Sequence, residues 1–184
     1  MPDLRNKDLR ELPIDYGNAL CGILISEDEI QQQVKKIAES IKESNKMWHC
    51  VIALNGALFF AADLLRELRD CTYDTIQVSS YEGTQSTRTP EIKKSLSKPV
   101  KGRDVLVIED IIDTGHTAKF LRQYLEDQGA NSVKIAALLS KPDRRETEIC
   151  IDYLGFIVPD KFLVGYGLDH NQENRNLKFI AVKA

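Results

Sequence analysis

The sequence has no long apolar run and no apolar leader. Its longest uninterrupted hydrophobic stretch spans residues 57–62, far short of the ~18 residues that a membrane-spanning helix needs. Charged residues, among them Asp3, Arg5 and Asp8, interrupt the first segment, so no secretion signal is expected. The sequence therefore predicts a protein with no membrane partner.

An excess of positive charge is also missing. The chain has 25 Lys and Arg residues against 28 Asp and Glu residues, which gives a formal net charge of -3. Proteins that bind nucleic acid through its phosphates are usually basic over at least one domain. We therefore expect no nucleic-acid partner.

The four cysteines are far apart and include no Cys-x-x-Cys pair; they are Cys21, Cys50, Cys71 and Cys150. This spacing argues against a metal site or a disulfide framework, and it predicts buried, reduced thiols. Reduced thiols are typical of a cytoplasmic protein, which is the expected location.

The composition that remains is that of an ordinary folded domain. Hydrophobic residues make up 42% and charged residues 29% of the 184 residues, which excludes a disordered or fibrous chain. A chain of this length predicts a single domain, residues 1–184.

Apolar patterns along the chain alternate between those of strands and those of helices. A capping-box pair, Ser26 and Glu29, precedes a helical stripe of apolar residues. Gly129 has the position of a helix C-cap. Helices are also predicted at 57–69 and 117–128, loops or irregular segments at 110–116 and 155–164, and strands at 21–25, 50–54, 72–80, 92–96, 105–109, 132–139 and 178–182. This alternation predicts a parallel sheet with helices on its faces.

Unusual polar residues follow three of these strands directly. They are Asn55 with Gly56, Glu109 with Asp110, and Lys141. In parallel sheets, ligands bind in the crevice beyond the carboxyl ends of the strands. The sequence therefore predicts a binding site at that edge.

The segment 105–117 carries the strongest chemical signal. An apolar strand ends in two carboxylates, and a loop with Thr114, Gly115 and Thr117 then opens a helix. Backbone N–H groups, hydroxyls and a helix N-terminus together suit a phosphate. An ordinary strand–loop–helix junction with a threonine cap has the same spacing, so the pattern alone leaves both interpretations open.

Asp113 is an unexpected residue in a phosphate-binding loop. At ~4 Å, two like unit charges repel by about 4 kcal/mol at an effective dielectric of 20. A neighbouring anion also makes a carboxylate a better proton acceptor. We therefore expect Asp113 to transfer a proton.

Residues 109–115 resemble the phosphoribosyl-pyrophosphate signature of the type I phosphoribosyltransferases. Other segments agree with the same family in the same order, from about residue 20 to residue 182. They are residues 54–56, 59–64, 79–81, 138–141, 159–169 and 175–177. With them the chain resembles the hypoxanthine (hypoxanthine-guanine) phosphoribosyltransferases.

The resemblance implies both a fold and a reaction. The fold is an α/β domain with a central, mostly parallel sheet flanked by helices, a small hood from about residues 1–25 and 155–184, and a mobile hairpin loop at about 81–90. The reaction transfers the 5-phosphoribosyl group of phosphoribosyl pyrophosphate to N9 of hypoxanthine, and of guanine, giving IMP or GMP and pyrophosphate. The implied cofactor is Mg²⁺, and the implied assembly is a homodimer or homotetramer. The alternatives are a relative that prefers xanthine or guanine, and a nucleic-acid-binding regulator that senses phosphoribosyl pyrophosphate.

The family pattern assigns the sugar phosphate to the acidic strand end and its loop. Glu109 and Asp110 match the carboxylates that hold the ribose hydroxyls, directly or through Mg²⁺, and Asp113 matches the catalytic acid or base near purine N7. The 5-phosphate cradle corresponds to Asp113, Thr114, Gly115, His116 and Thr117. His116 either donates to the phosphate or is simply solvated, and the second interpretation is favoured.

The pattern assigns pyrophosphate contacts to Leu54, Asn55, Gly56 and Arg175, with a peptide before Asn55 that can be cis. Asp169 matches a ligand of a second Mg²⁺. The implied metal ligands are therefore Glu109, Asp110 and Asp169, a sparse set of the kind that Mg²⁺ tolerates.

The remaining assignments concern the purine and a lid. Lys141 matches the donor to purine O6, Phe162 the stacking ring, and Leu163 the backbone that reads the base; Asp169 is also assigned to the purine site. A lysine cannot satisfy the amino group of adenine, which favours 6-oxopurines. Ser80 and Tyr81 match the start of the lid. His170 and Asn174 depart from the family, which has aromatic residues at these positions.

Overall fold

The structure is a computed structural model that describes residues 1–13, 19–80 and 90–184. Within these ranges the chain forms nine strands and three α-helices. In chain order they are β1 (Leu20–Ile25), α1 (Glu27–Lys42), β2 (Trp48–Leu54), α2 (Leu58–Glu67), β3 (Thr72–Ser80), β4 (Pro90–Lys94), β5 (Asp104–Ile112), α3 (His116–Asp127), β6 (Ser132–Ser140), β7 (Tyr153–Ile157), β8 (Leu163–Val164) and β9 (Ile180–Lys183). A short 3-10 helix, Pro142–Arg144, follows β6.

Six strands form the central sheet in the order β4-β3-β2-β5-β6-β7. Neighbouring strands are parallel except β3 and β4, which pair antiparallel. The parallel strands direct their carboxyl ends to one edge, where ligands bind in such sheets. The predicted α/β class with a mostly parallel sheet is confirmed.

The apolar residues of the central strands explain why helices cover both faces. Along β5, Leu106 and Ile108 pack in the layer that contains α1 and α2, whereas Val105 and Val107 pack in the layer that contains α3. Because successive strand residues point to opposite faces, a strand buried on both faces needs an unbroken apolar run. The run at 105–108 is such a sequence.

Segments from near both chain ends form a second sheet, in the order β1-β9-β8, with antiparallel pairing. We call this three-stranded sheet the hood. Tyr166, which follows β8, is buried, and its hydroxyl donates to Asp63 Oδ2 of α2 at 2.7 Å. Residues 155–157, which the sequence assigned to the hood, belong instead to β7 of the central sheet.

Two predicted irregular segments were wrong. The loop expected at 110–116 is shorter, because β5 continues through Ile112 and pairs there with Ser140 of β6, and α3 begins at His116. The irregular segment expected at 155–164 begins inside β7, whose pairing with β6 reaches Ile157. Pro159 lies beyond that pairing and so does not interrupt it.

The predicted helix signals are confirmed. The Ser26 backbone N–H donates to Glu29 Oε2 at 2.9 Å, and the Glu29 N–H donates to Ser26 Oγ at 3.4 Å, which completes the capping box of α1. Gly129 follows α3 with φ of 82°, a conformation that glycine adopts without a Cβ penalty.

All four cysteines are free, but the expectation that they are buried was only partly right. Cys50 is buried and Cys71 is half-buried, whereas Cys21 and Cys150 are exposed. Cys21 faces outward because the hood strand β1 alternates buried and exposed residues at its start. In the described ranges, no helix is long and apolar enough to cross a membrane.

Asp74 of β3 is a buried carboxylate that holds the segment after β4 in place through hydrogen bonds. Its oxygens accept hydrogen bonds from the backbone N–H groups of Thr75 at 2.7 Å, Ser97 at 2.6 Å and Lys98 at 3.2 Å, and from the Ser97 hydroxyl at 2.8 Å. Burial opposes the charged form, but these hydrogen bonds outweigh it and hold the pKa of Asp74 below its ordinary value of 3.8.

We expect Asp74→Asn to lower the free energy of unfolding by about 1–3 kcal/mol at neutral pH, because it leaves buried donors without an acceptor. A lowered folded-state pKa stabilises the fold above the ordinary pKa, and this contribution is lost as the pH falls through the folded-state value. The difference between the two proteins should therefore shrink between about pH 7 and about pH 3 in urea unfolding. The exposed carboxylate Asp70 provides the control, Asp70→Asn. A difference that is constant with pH would contradict this role.

Candidate active site

A cavity of about 460 Å³ lies at the carboxyl edge of the central sheet. Its volume is within the range of small-molecule sites. The predicted site residues that line it are Leu54, Asn55, Gly56, Glu109, Asp110, Asp113, Thr114, Gly115, Thr117, Asp169 and Arg175. The cavity thus brings together residues from the ends of β2 and β5 and from the segment that follows the hood strand β8.

The end of β5 contributes two buried carboxylates. Burial raises the pKa of Glu109 well above its ordinary value, and the charge of Asp110 raises it further. Burial likewise raises the pKa of Asp110, although the N–H of Ile111 at 2.9 Å and the charge of Arg175 oppose the rise. Within the described residues, Glu109 Oε1 is buried and accepts no hydrogen bond. Negative charge here is therefore poorly compensated by the protein itself.

Two glycines let backbone and carboxylate approach each other closely. A Cβ on Gly56 would lie 1.7 Å from Asp110 Oδ2, and a Cβ on Gly167 would lie 1.9 Å from the Gly56 carbonyl oxygen. Gly167 also has a φ of 104°, which strongly favours glycine. The peptide between Leu54 and Asn55 is cis, as the resemblance implied. The turn after β2 is thus packed between Asp110 and the segment after β8.

The loop between β5 and α3 consists of Asp113, Thr114 and Gly115. Gly115 has a φ of 93° and is the N-cap of α3, so the first N–H groups of the helix lie beside the loop. Thr114 accepts backbone hydrogen bonds from Glu146 at 3.0 Å and Thr147 at 3.2 Å through its carbonyl oxygen. The segment after the 3-10 helix therefore holds the loop in place. A helix N-terminus of this kind is suited to an anion.

His116 does not line the cavity. Its Nε2 atom lies 2.9 Å from Glu146 Oε2, and both side chains are partly exposed. His116 thus lies against a carboxylate, and its role towards a phosphate stays a prediction.

Asp169 and Arg175 form the opposite wall. Arg175 Nη2 lies 2.7 Å from Asp169 Oδ1, and Arg175 Nη1 donates to the Gly167 carbonyl at 2.7 Å. Asp169 Oδ2 accepts from the N–H of Gln172 at 2.8 Å. The guanidinium is thus fixed beside the buried carboxylates of β5, where its charge also acts on Asp110.

The predicted purine residues lie outside the lining of this cavity, except Asp169. Lys141 directly follows β6, and its backbone N–H donates to the Ile112 carbonyl at 3.0 Å, one residue before Asp113. Leu163 is buried, whereas Phe162 is 53% exposed and its ring meets that of His170 edge to face at 5.5 Å. His170 differs from the aromatic residue expected from the family, but its imidazole still makes a ring contact with Phe162.

Sequence reasoning missed two charged residues beside the site, Arg144 and Asp160. Arg144 Nε lies 3.1 Å from Asp113 Oδ1, and Arg144 Nη1 lies 3.8 Å from Asp160 Oδ1. Lys141 Nζ lies 3.8 Å from the same Asp160 oxygen. We call Asp113, Arg144, Asp160 and Lys141 the charge chain, because their signs alternate. A run of charged residues directly follows β6 in the sequence, and this run could have indicated that Arg144 lies near the site.

The proposed lid is largely beyond what the structure describes. Ser80 is the last residue of β3, and only its backbone is described. Tyr81 and residues 82–89 lie outside the described residues.

The donor set at the end of β5 fits a hard divalent cation with few protein ligands. Carboxylate oxygens are suitable donors, and Glu109 Oε1 is buried without a partner in the described part of the chain. No cluster of three or more metal-binding side chains occurs among residues 1–13, 19–80 and 90–184. Mg²⁺ commonly uses one or two carboxylates and completes its shell with water and substrate phosphates.

Comparison with known proteins gives a consistent result. The family model of the phosphoribosyl transferase domain matches residues 26–171. The hypoxanthine-guanine phosphoribosyltransferase of Bacillus subtilis is 45% identical over 167 residues, which cover 87% of this chain and 91% of that protein. The enzyme of the same name from Lactococcus lactis is 41% identical over 173 residues, which cover 91% and 93%.

A solved structure agrees with these relatives. The hypoxanthine phosphoribosyltransferase of Staphylococcus aureus superposes with a TM-score of 0.87 at 36% identity, over 95% of this chain and 97% of that chain. Sequence and fold thus match the same group of proteins over nearly their whole length. The chain belongs to the phosphoribosyl transferase family, and within it to the hypoxanthine-guanine phosphoribosyltransferases.

Proposed function

We propose that the chain is a purine-salvage enzyme that transfers the 5-phosphoribosyl group of phosphoribosyl pyrophosphate to N9 of hypoxanthine, and also of guanine. The products are IMP or GMP and pyrophosphate. One observation carries the proposal: a single cavity joins an anion-binding loop, a buried acidic strand end and the guanidinium of Arg175. Each of these suits one part of a sugar that bears a phosphate and a pyrophosphate.

The 5-phosphate is proposed to bind at the start of α3. Thr114 and Thr117 offer hydroxyls, and the N–H groups that follow Gly115 lack partners within the helix. Because the helix dipole is positive at this end, it adds to the attraction. Asp113 lies in the same loop. The loop that would bind the 5-phosphate therefore also positions the proposed proton acceptor.

Pyrophosphate and the ribose hydroxyls are proposed to bind between the turn after β2 and Arg175. Asn55 and Gly56 present backbone groups, and Arg175 presents a guanidinium that matches phosphate oxygens. One Mg²⁺ at Glu109 and Asp110 and a second Mg²⁺ at Asp169 would neutralise the leaving pyrophosphate. The unpartnered oxygen of Glu109 supports this assignment.

The purine is proposed to lie beside Asp113 and Lys141, which follow the neighbouring strands β5 and β6. Lys141 donates to O6, Phe162 stacks on the ring, and the backbone of Leu163 reads the base edge. As the N9–C1′ bond forms and the bond from C1′ to the pyrophosphate oxygen breaks, the proton on N7 passes to Asp113. A carboxylate placed in this way contributes through general base catalysis.

Three further features remain part of the proposal. Ser80 and Tyr81 begin a lid that excludes water from the reacting sugar carbon. The chain acts as a homodimer or homotetramer, which the exposed apolar side chains of Leu58 and Phe59 on α2 support. It acts in the cytoplasm, in keeping with four free cysteines.

The direct experiment is ultraviolet monitoring of nucleotide formation from each of four purines with phosphoribosyl pyrophosphate and Mg²⁺. We expect turnover with hypoxanthine and guanine, little with adenine, and loss of turnover on adding a chelator. Comparison with xanthine separates the proposal from a xanthine-preferring relative. Failure to form IMP with every component present would overturn the proposed function.

We expect Asp113→Asn to reduce kcat with hypoxanthine by about 100-fold or more, because an amide cannot accept the N7 proton. The KM for phosphoribosyl pyrophosphate should change little, since the other groups of the loop remain. Steady-state kinetics measure both constants. The matched control is Asp127→Asn, an exposed carboxylate at the far end of α3. Unchanged turnover in Asp113→Asn would remove its proton-transfer role.

We expect Lys141→Gln to reduce the preference for hypoxanthine over adenine by about tenfold or more, because a glutamine amide can either donate or accept where the ammonium only donates. The measurement is the ratio of kcat/KM for the two bases. Lys35→Gln, on the exposed face of α1, serves as the control. An unaltered ratio would show that Lys141 does not read O6.

A further inference from the structure

The charge chain poses a problem for the proposed purine site. Asp113 and Lys141, the two groups proposed to meet N7 and O6, are both engaged with other charges. Arg144 Nε lies 3.1 Å from Asp113 Oδ1, and Lys141 Nζ lies 3.8 Å from Asp160 Oδ1. A purine that binds both groups therefore competes with both contacts.

The contact between Arg144 and Asp113 is close but poorly directed. Asp113 Oδ1 is buried, yet within the described residues no group, Arg144 included, makes a hydrogen bond to it. A buried acceptor without a hydrogen bond is costly. An N–H on a bound purine would satisfy this oxygen better than Arg144 does.

Asp160 can serve as a second acceptor for Arg144. The same oxygen, Asp160 Oδ1, lies 3.8 Å from both Arg144 Nη1 and Lys141 Nζ. The side chain of Lys141 is only 11% exposed, so its ammonium needs a partner when no purine is present. Arg144 and Asp160 are 40% and 52% exposed and have room to move.

We propose that Asp160 and Arg144 are positioning residues that exchange ion-pair partners when the purine binds. Lys141 moves from Asp160 to purine O6. Arg144 then moves from Asp113 to the Asp160 carboxylate. Asp113 then becomes free to accept the N7 proton. After the exchange Lys141 donates to the purine carbonyl, Asp113 accepts from the purine N–H and Arg144 pairs with Asp160, so each group keeps a polar partner. The inference rests on the proposed function.

The exchange predicts a specific effect of removing the acceptor. In Asp160→Asn, Arg144 has no carboxylate to move to and stays on Asp113. Since half-exposed ion pairs are weak, we expect the KM for hypoxanthine to rise about fivefold. The KM for phosphoribosyl pyrophosphate should stay unchanged, because its proposed contacts lie elsewhere.

A double-mutant cycle distinguishes this exchange from a structural role. In an Arg144→Gln background Asp113 is already unblocked, so adding Asp160→Asn should raise the KM for hypoxanthine by less than about twofold. A merely structural Asp160 would give the same increase in both backgrounds. Asp160→Glu keeps the carboxylate and should keep the KM near that of the unmodified chain, which tests the proposal even if Asp160→Asn folds poorly.

The control is Asp143→Asn, in the same short helix. Its side chain is 53% exposed and pairs with Arg5 rather than with the charge chain, so no kinetic constant should change. If the unmodified chain forms no IMP, the proposed function fails and this inference fails with it. If the chain is active but Asp160→Asn leaves the KM for hypoxanthine unchanged, or raises it equally in both backgrounds, the exchange alone is overturned.

Discussion

The burial of Glu109 and Asp110 at the end of β5 is the constraint around which the site is arranged. Burial removes hydration from both carboxylates and raises both pKa values, and the charge of Asp110 raises the pKa of Glu109 further, so each carboxyl resists ionisation. The protein compensates them only in part, through Arg175 and the backbone N–H groups of Asp110 and Ile111. Such a strand end is unfavourable unless a cation and hydroxyl groups complete it, as a sugar bound with Mg²⁺ would. The incompletely compensated negative charge of these two carboxylates is therefore the feature of the fold that suits the proposed reaction.

Close packing at two glycines fixes the position of neighbouring segments relative to these carboxylates. Asp110 reaches its position only because Gly56 has no Cβ, and Gly56 in turn packs against Gly167 in the segment after β8. The central sheet, the turn after β2 and the segment that carries Asp169 are thereby fixed relative to one another. The hood is thus part of the site's construction, since the segment between β8 and β9 carries Arg175 to the cavity.

Most of the fold follows from local patterns in the sequence. Apolar runs on β2, β5 and β6 predicted buried parallel strands, and the pair Ser26 and Glu29 predicted the start of α1. The end of β5 could not be predicted this way, because polar Glu109 and Asp110 look like the start of a loop. Only pairing with β6 keeps Ile111 and Ile112 in the strand. The site shows the same limit: motifs identified the residues that line the cavity, but not Arg144 or Asp160, whose roles depend on distances between segments.

The charge chain shows why contacts outside a motif matter for specificity. A site built only from Asp113 and Lys141 would leave both charges unpaired whenever the base is absent, which is costly above all for the nearly buried ammonium of Lys141. Linking the two through Arg144 and Asp160 gives each charge a partner in the free protein. A ligand therefore gains binding free energy only where its hydrogen bonds are stronger than the ion pairs that it displaces. In the proposed purine site, a 6-oxopurine would offer an acceptor to Lys141 and an N–H to Asp113, whereas a 6-amino group would offer Lys141 no acceptor. On this proposal, the contacts that stabilise the free site also discriminate against the wrong base.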